Sequence, residues 1–149
     1  MNFHQDKFRP PHYLLALLIV ATALQLWLKP PKLIEATLPA VVLFFGGYFI
    51  SKSAMMRFVR RETPVRHNEK PTALVTDGPF RYTRNPMYVG VEILLIGLAL
   101  QAGSWPYLTL PAVMFFILNF IFIPWEERRM EELFKEEYLR YKQKVRRWI

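Results

Sequence analysis

Two short runs in this chain could do chemistry. Asn85-Pro86-Met87-Tyr88 stands at the mouth of a long apolar stretch, and Glu126-Glu127 follows directly on another. Pro86 lacks an N–H and has a fixed φ, so it suits the first position of a helix. Asn85 then falls at the N-cap, where its side chain can accept a bond from a free backbone N–H. A polar, turn-rich segment fixed to the start of a membrane span places a site for a water-soluble ligand at the membrane surface. Two carboxylates at a helix start can merely favour its dipole, or they can bind the amino or hydroxyl groups of a ligand. Both readings are open for Glu126-Glu127.

Three further residues are candidates. Glu92 lies one turn past Tyr88 on the same face, inside an apolar stretch. An acid there costs ~2.5–3.5 kcal/mol at mid-span and less near the end. It can pair with Arg81 or Arg84, or it can meet a substrate and take its proton. Asn119 is the polar residue deepest in the last apolar stretch, able to bond a neighbouring helix or a substrate. Phe122 lies one turn before Glu126 and brings no cation to that face. The chain has no Cys, which excludes disulfides, thiolate catalysis and Cys-based metal sites. His4, His12 and His67 show no metal-ligand spacing, so no metal is expected. No glycine-rich dinucleotide signature occurs.

The elements that position these residues read from hydropathy. Four apolar stretches cover roughly 13–28, 33–50, 87–104 and 106–124, each near the ~20 residues that cross a bilayer. Tyr13, Trp27, Trp105, Tyr107 and Trp125 mark their ends, as expected at membrane interfaces. The fold class expected is all-α: a single polytopic membrane domain of four transmembrane helices, with a cytoplasmic loop over 51–86 and a cytoplasmic tail over 125–149. Lys29-Pro30-Pro31-Lys32 and 101–106 read as tight turns, which would make hairpins of spans one and two and of spans three and four. Gly46-Gly47 suits a close helix contact. The first stretch lacks a cleavage signature and reads as a retained span. The segment 65–77 is the least structured in appearance.

Net charge is +8. A nucleic-acid binder can be this basic, but it has no need of four apolar stretches. Lys and Arg crowd the middle loop and the tail and are absent from the turn between spans three and four, so both termini and the middle loop are expected in the cytoplasm. In the tail, Met130, Leu133, Phe134, Tyr138, Tyr141, Val145 and Trp148 trace one helical face, with the helix expected over 126–145. That pattern predicts one amphipathic helix lying on the membrane or on the other helices. Glu131 with Lys135, and Glu136 with Arg140, have i,i+4 spacing.

The loop Leu74-Val75-Thr76-Asp77-Gly78-Pro79-Phe80, the run Arg84-Asn85-Pro86-Met87-Tyr88-Val89-Gly90, and a tail of Glu126-Glu127, Phe134 to Tyr138, Tyr141 and Val145 together resemble the isoprenylcysteine carboxyl methyltransferase family and its phospholipid methyltransferase relatives. The resemblance implies S-adenosylmethionine as methyl donor, held by Leu74, Val75, Phe80, Asn85, Pro86, Met87, Tyr88 and Glu126. It implies a lipophilic small molecule or lipid as acceptor; Glu92 is the candidate catalytic group and Asn119 and Phe122 are candidate substrate contacts on their own placement, and no nucleic acid or obligate protein partner is expected. The implied setting is the inner or plasma membrane of a prokaryote. Three departures stand out. Asn85 replaces the family's usual His, so no titrating group acts there. Lys135 replaces a Gly, a change expected to alter only a helix surface. Phe122 occupies the place of an Arg that pairs the substrate carboxylate in the prenylcysteine branch. A sterol-type reductase shares a similar Arg-x-Pro-x-Tyr-x-Gly turn but uses NADPH, and a catalytically silent scaffold would keep the same frame. The Glu pair and the short chain favour the methyltransferase.

Overall fold

The computed structural model describes residues 10–64 and 71–149, and all regular structure among them is helical. Helix α1 spans Pro10–Leu28 and α2 spans Thr37–Arg60. A 3-10 turn, Gly78–Arg81, precedes α3, Pro86–Ala102. Then come α4, Trp105–Leu108, and α5, Leu110–Ile117. A π-helical turn over Leu118–Phe122 leads into α6, Ile123–Lys144. Three helical stretches are long and apolar enough to cross a membrane, and α3 is an apolar helix of 17 residues. Side chains such as Ile19, Leu26, Trp27, Phe45 and Phe49 point outward, as a lipid-facing surface requires.

Four expectations need correction. The second span starts later and runs further than 33–50, because 29–36 forms an extended connection rather than a tight turn. There the Leu33 and Ile34 N–H groups donate to the Gly103 carbonyl at the end of α3, at 2.7 and 3.2 Å. The hairpin of spans one and two does not form the main helix contact: α2 packs most extensively on α3, and α1 leans on α4 and α5. A Cβ on Gly47 would strike the Gly90 carbonyl, and one on Gly90 would strike the Ser51 side chain, so these two backbones touch and α2 spends its small-residue face on α3. Gly46 faces open space.

The third correction concerns span four and the tail, which are continuous. Polarity changes at Trp125 but the helix does not stop. Pro111 and Pro124 each remove an i→i−4 bond, and the breaks fall just before them, at Thr109 and at the π turn.

The fourth concerns the tail helix, which is not straight. Lys135 has φ 44° and ψ −121°, a conformation that favours glycine, and α6 bends there into arms over 123–134 and 136–144. The bend brings the Lys142 ammonium to 2.6 Å from Glu131, eleven residues away. A straight helix would separate these positions by roughly 16 Å. Lys135 therefore sits at a backbone turn, which is where a glycine belongs, and its replacement of that glycine is more than a surface change. Of the stretch 65–77, residues 65–70 lie outside the described residues, as does 1–9.

Two apolar clusters organise the interior. One gathers Tyr88, Leu95, Met114, Leu118, Phe122 and Ile123 inside the bundle. The other gathers Ala54, Val75, Phe80, Tyr138 and Tyr141 at its Lys/Arg-rich end. The apolar face of the tail is thus spent on the loop before α3.

Candidate functional site

The loop before α3 is held from three sides. Arg57 on α2 pairs with Asp77 at 3.0 Å, with Arg61 at 3.6 Å from the same carboxylate. The Thr63 hydroxyl accepts from the Thr72 N–H at 2.9 Å. The Tyr141 hydroxyl donates to the Phe80 carbonyl at 2.7 Å. Ser51 donates to the Met87 carbonyl at 2.9 Å, tying the first turn of α3 to α2. Burial raises the Tyr138 and Tyr141 phenols above their ordinary range, so both are neutral hydrogen-bonding groups.

Between loop, α3 and α6 lies a pocket of about 900 Å³, its open mouth included. Leu74, Val75, Phe80, Asn85, Pro86, Met87, Tyr88 and Glu126 all line it. The pocket thus brings together residues from three separate parts of the sequence. Trp125, Glu127, Arg129, Met130, Tyr138 and Tyr141 complete it together with Arg84, Phe58 of α2, Pro64 and Pro71. The Tyr88 hydroxyl donates to Glu126 Oε1 at 2.8 Å, which joins the mouth of α3 to α6 across the pocket wall. Arg129 stacks over the Trp125 ring at 5.5 Å.

The remaining candidates lie elsewhere. Glu92 does not line the pocket; its Oε1 is buried with no hydrogen-bond partner among the described residues. Arg84, one of the cations expected to pair with it, is engaged by Glu127. The Asn119 oxygen accepts from the Trp148 indole at 3.0 Å. Phe122 is buried in the bundle cluster, with its ring edge-on to Tyr13 at 5.4 Å.

Asn85 lines the pocket but is not a side-chain cap. Its Nδ2 donates to the Arg147 carbonyl at 2.9 Å, and its backbone N–H donates to the Thr83 hydroxyl at 3.1 Å. The carboxyl-terminal residues folded back on this turn, unseen in the local pattern, took the amide.

Sequence reasoning also missed the centre beneath the pocket. Glu127 is buried and bonded by Arg84 at 2.6 Å and Arg147 at 2.7 Å. Burial alone would raise its carboxyl; hydrogen bonds from Arg147 and Arg84, with their charges, outweigh that and hold it below the ordinary range. Glu127 in turn raises the Arg147 guanidinium. Helical rotation carries the signal here. Adjacent residues on a helix point about 100° apart, so although both acids border the pocket, Glu126 takes the Tyr88 hydroxyl and Glu127 the two guanidiniums.

The chain matches the phospholipid methyltransferase family over residues 35–137, more than half its length, and belongs to that family. The family is one of membrane methyltransferases, which implies methylation dependent on S-adenosylmethionine. A stretch of 65 residues, 42% of this chain, is 42% identical to the full length of an uncharacterized protein of Haemophilus influenzae. No solved structure matches the chain.

Proposed function

We propose that the protein is an integral membrane methyltransferase that binds S-adenosylmethionine in the pocket between Phe80, Tyr88 and Glu126 and methylates a lipophilic acceptor arriving from the bilayer. The observation that carries this reading is the convergence of all eight implied donor-binding residues on one pocket. The pocket's chemistry fits the donor. Glu126 supplies a carboxylate for its ammonium or ribose hydroxyls. The N-terminal end of α3, which has no side-chain cap, suits its carboxylate. Phe80 and Met87 give apolar walls for its base, and Tyr88 an aromatic face for a cation.

When bound, the donor supplies an electrophilic methyl group for in-line displacement. The chain's part is to position the acceptor and exclude water. Glu92 lies one turn deeper than Tyr88, and we assign it the acceptor side, where a half-buried carboxylate with an unpartnered Oε1 can meet an amine or take its proton. Phe122, packed behind Tyr88, brings no cation to that region, so an acidic prenylcysteine is expected to be a poor acceptor. The proposed orientation puts both termini and the pocket in the cytoplasm.

Calorimetry with S-adenosylhomocysteine and with NADPH tests the cofactor. Binding of the first and not the second is expected, and the reverse would point to a reductase. Radiolabelled methyl transfer into lipid amines, phenols, thiols and prenylcysteines tests the acceptor. Glu92→Gln should lower turnover while leaving S-adenosylhomocysteine affinity nearly unchanged. Efficient methylation of prenylcysteine by a fully active Glu92→Gln variant would defeat the acceptor reading. Reporters at Arg61 and Gly103 should read opposite sides of the membrane.

A further inference from the structure

Beyond α6 the chain turns extended at Val145 and runs back across the mouth of α3. The Arg84 N–H donates to the Arg146 carbonyl at 2.9 Å. The Thr83 hydroxyl and Asn85 Nδ2 both donate to the Arg147 carbonyl, at 3.0 and 2.9 Å. The Arg84 guanidinium donates to the Val145 and Lys142 carbonyls as well as to Glu127. Three consecutive residues of the turn, 83–85, are therefore bonded to three consecutive carbonyls of the strap, 145–147. The strap is anchored at its far end by Trp148. Its indole donates to Asn119 in the π turn, and its ring lies 4.9 Å from that of Phe115. The π turn ends at Phe122, which shares a cluster with Tyr88.

Arg84 and Asn85 thus line the pocket while Asn85 Nδ2 and one arm of the Arg84 guanidinium donate to the strap and the rest of that guanidinium donates to Glu127. Ser51 and Tyr141 hold the residues on either side of the 83–86 turn, but inside it α3 has no side-chain cap and Pro86 has no N–H, so the bond from the Asn85 N–H to Thr83 is joined chiefly by those to the strap. We infer that the carboxyl-terminal strap 145–148 is the positioning element of the binding site: it holds the 83–88 turn, and through it Tyr88 against Glu126, in the ligand-ready geometry without itself touching the ligand. The inference rests on the reading of the pocket as a cofactor site. In functional terms, Trp148 sets affinity from outside the pocket, through the supporting shell that fixes ligand-binding groups.

Two variants of the full chain test it. Trp148→Ala removes both the indole bond and the ring contact with Phe115, whereas Trp148→Phe keeps a ring there. S-adenosylhomocysteine affinity by calorimetry should fall roughly tenfold in Trp148→Ala, by the loss expected when binding groups shift slightly, and recover most of the way in Trp148→Phe. Amide hydrogen exchange of peptides covering 78–89 should rise in Trp148→Ala and return in Trp148→Phe, while peptides from the α2–α3 contact stay protected. If exchange over 78–89 does not change, or if it rises while affinity stays the same, the inference is overturned. A general loss of protection, with affinity falling alongside the melting temperature in both variants, would make Trp148 a fold residue and also overturn it. If the intact protein does not bind S-adenosylhomocysteine, the cofactor reading fails. The exchange result then decides the strap alone: raised exchange over 78–89 supports it, and unchanged exchange ends it.

Discussion

At the Lys/Arg-rich end of the bundle the helices are tied by charge, with Glu127 buried between Arg84 and Arg147. At the opposite end they are tied by neutral groups. There Ser104 is fully buried and donates to Gln25, Thr22 and Tyr107 share a 2.9 Å bond, and the Gly103 carbonyl takes two backbone N–H groups from 33–34. The neutral end joins α1, the 29–36 connection and the turn after α3 with bonds that need no counter-ion, and the charged residues there, Lys29, Lys32 and Glu35, take no part in them. The charged end does something the neutral end cannot. It places one carboxylate, Glu127, where two guanidiniums saturate it, and turns its neighbour Glu126 into a pocket. A buried ion pair is a weak source of net stability but a strict constraint, because losing one partner strands the others.

The largest effect should come from breaking that constraint. Glu127→Ala leaves Arg84 and Arg147 without their carboxylate and should destabilise the protein by about 3–5 kcal/mol, read from unfolding of the detergent-solubilised protein. A loss within 1 kcal/mol, as is typical of exposed pairs, would erase the difference between the two ends.

Glu126→Ala separates the paired acids. Stability should fall by about 1 kcal/mol as the buried Tyr88 hydroxyl loses its acceptor, well short of the Glu127→Ala loss, while S-adenosylhomocysteine binding should weaken by about 2–3 kcal/mol, tens of fold to over a hundredfold, as a charged hydrogen bond is lost. If Glu126→Ala and Glu127→Ala behave alike in both assays, the division of labour within the pair is wrong.

Acid should loosen one end only. The Glu127 carboxyl is lowered in the folded state, so its contribution is fully present above its ordinary value of 4.5. As pH drops below 4.5 the unfolded chain takes up the proton first, and the contribution shrinks until pH passes the lowered folded value. Hydrogen exchange during acid titration should open peptides around 83–88 and 142–148 before those around 22–25 and 103–107.

At the neutral end, Ser104→Ala removes one buried hydroxyl bond and should cost about 1 kcal/mol, with S-adenosylhomocysteine affinity unchanged. The smallest effect expected is a gain. Lys135→Gly relieves the ~1–2 kcal/mol that a side chain costs at positive φ, against ~0.5–1 kcal/mol for glycine's added freedom when unfolded. The net should be a stabilisation of about 0.5 kcal/mol. A marked destabilisation would mean that the bend at Lys135 is not built as described.

Much of this protein was legible in its sequence because the relevant signals are local or compositional. Apolar length gave the helices, proline and aromatic residues gave the ends of α1 and α3 to within a few residues, and Pro86 marked the start of α3, but α2 runs on to Arg60 and the last span does not stop at 124. The eight residues expected to hold the cofactor fall in three short runs, and each run keeps its own pattern whatever it packs against. Where signals depended on distant partners, the reading went astray. Local spacing made Asn85 a helix cap, but a strap 62 residues away takes its amide. Neighbouring positions in sequence put Glu131 with Lys135, yet the bend delivers Lys142 to it. Phe122 and Asn119 could be placed in a span but not assigned a side of it. The sequence determined by itself that this chain is a set of apolar helices with a polar, turn-rich segment before one of them, because hydrophobicity and backbone restriction act residue by residue. Only the tertiary structure decided which carboxylate meets Tyr88, which guanidiniums bury the other, and that residues 145–148 close over the turn before α3. Those choices come from charges and hydrogen-bonding groups that meet only after the helices have packed.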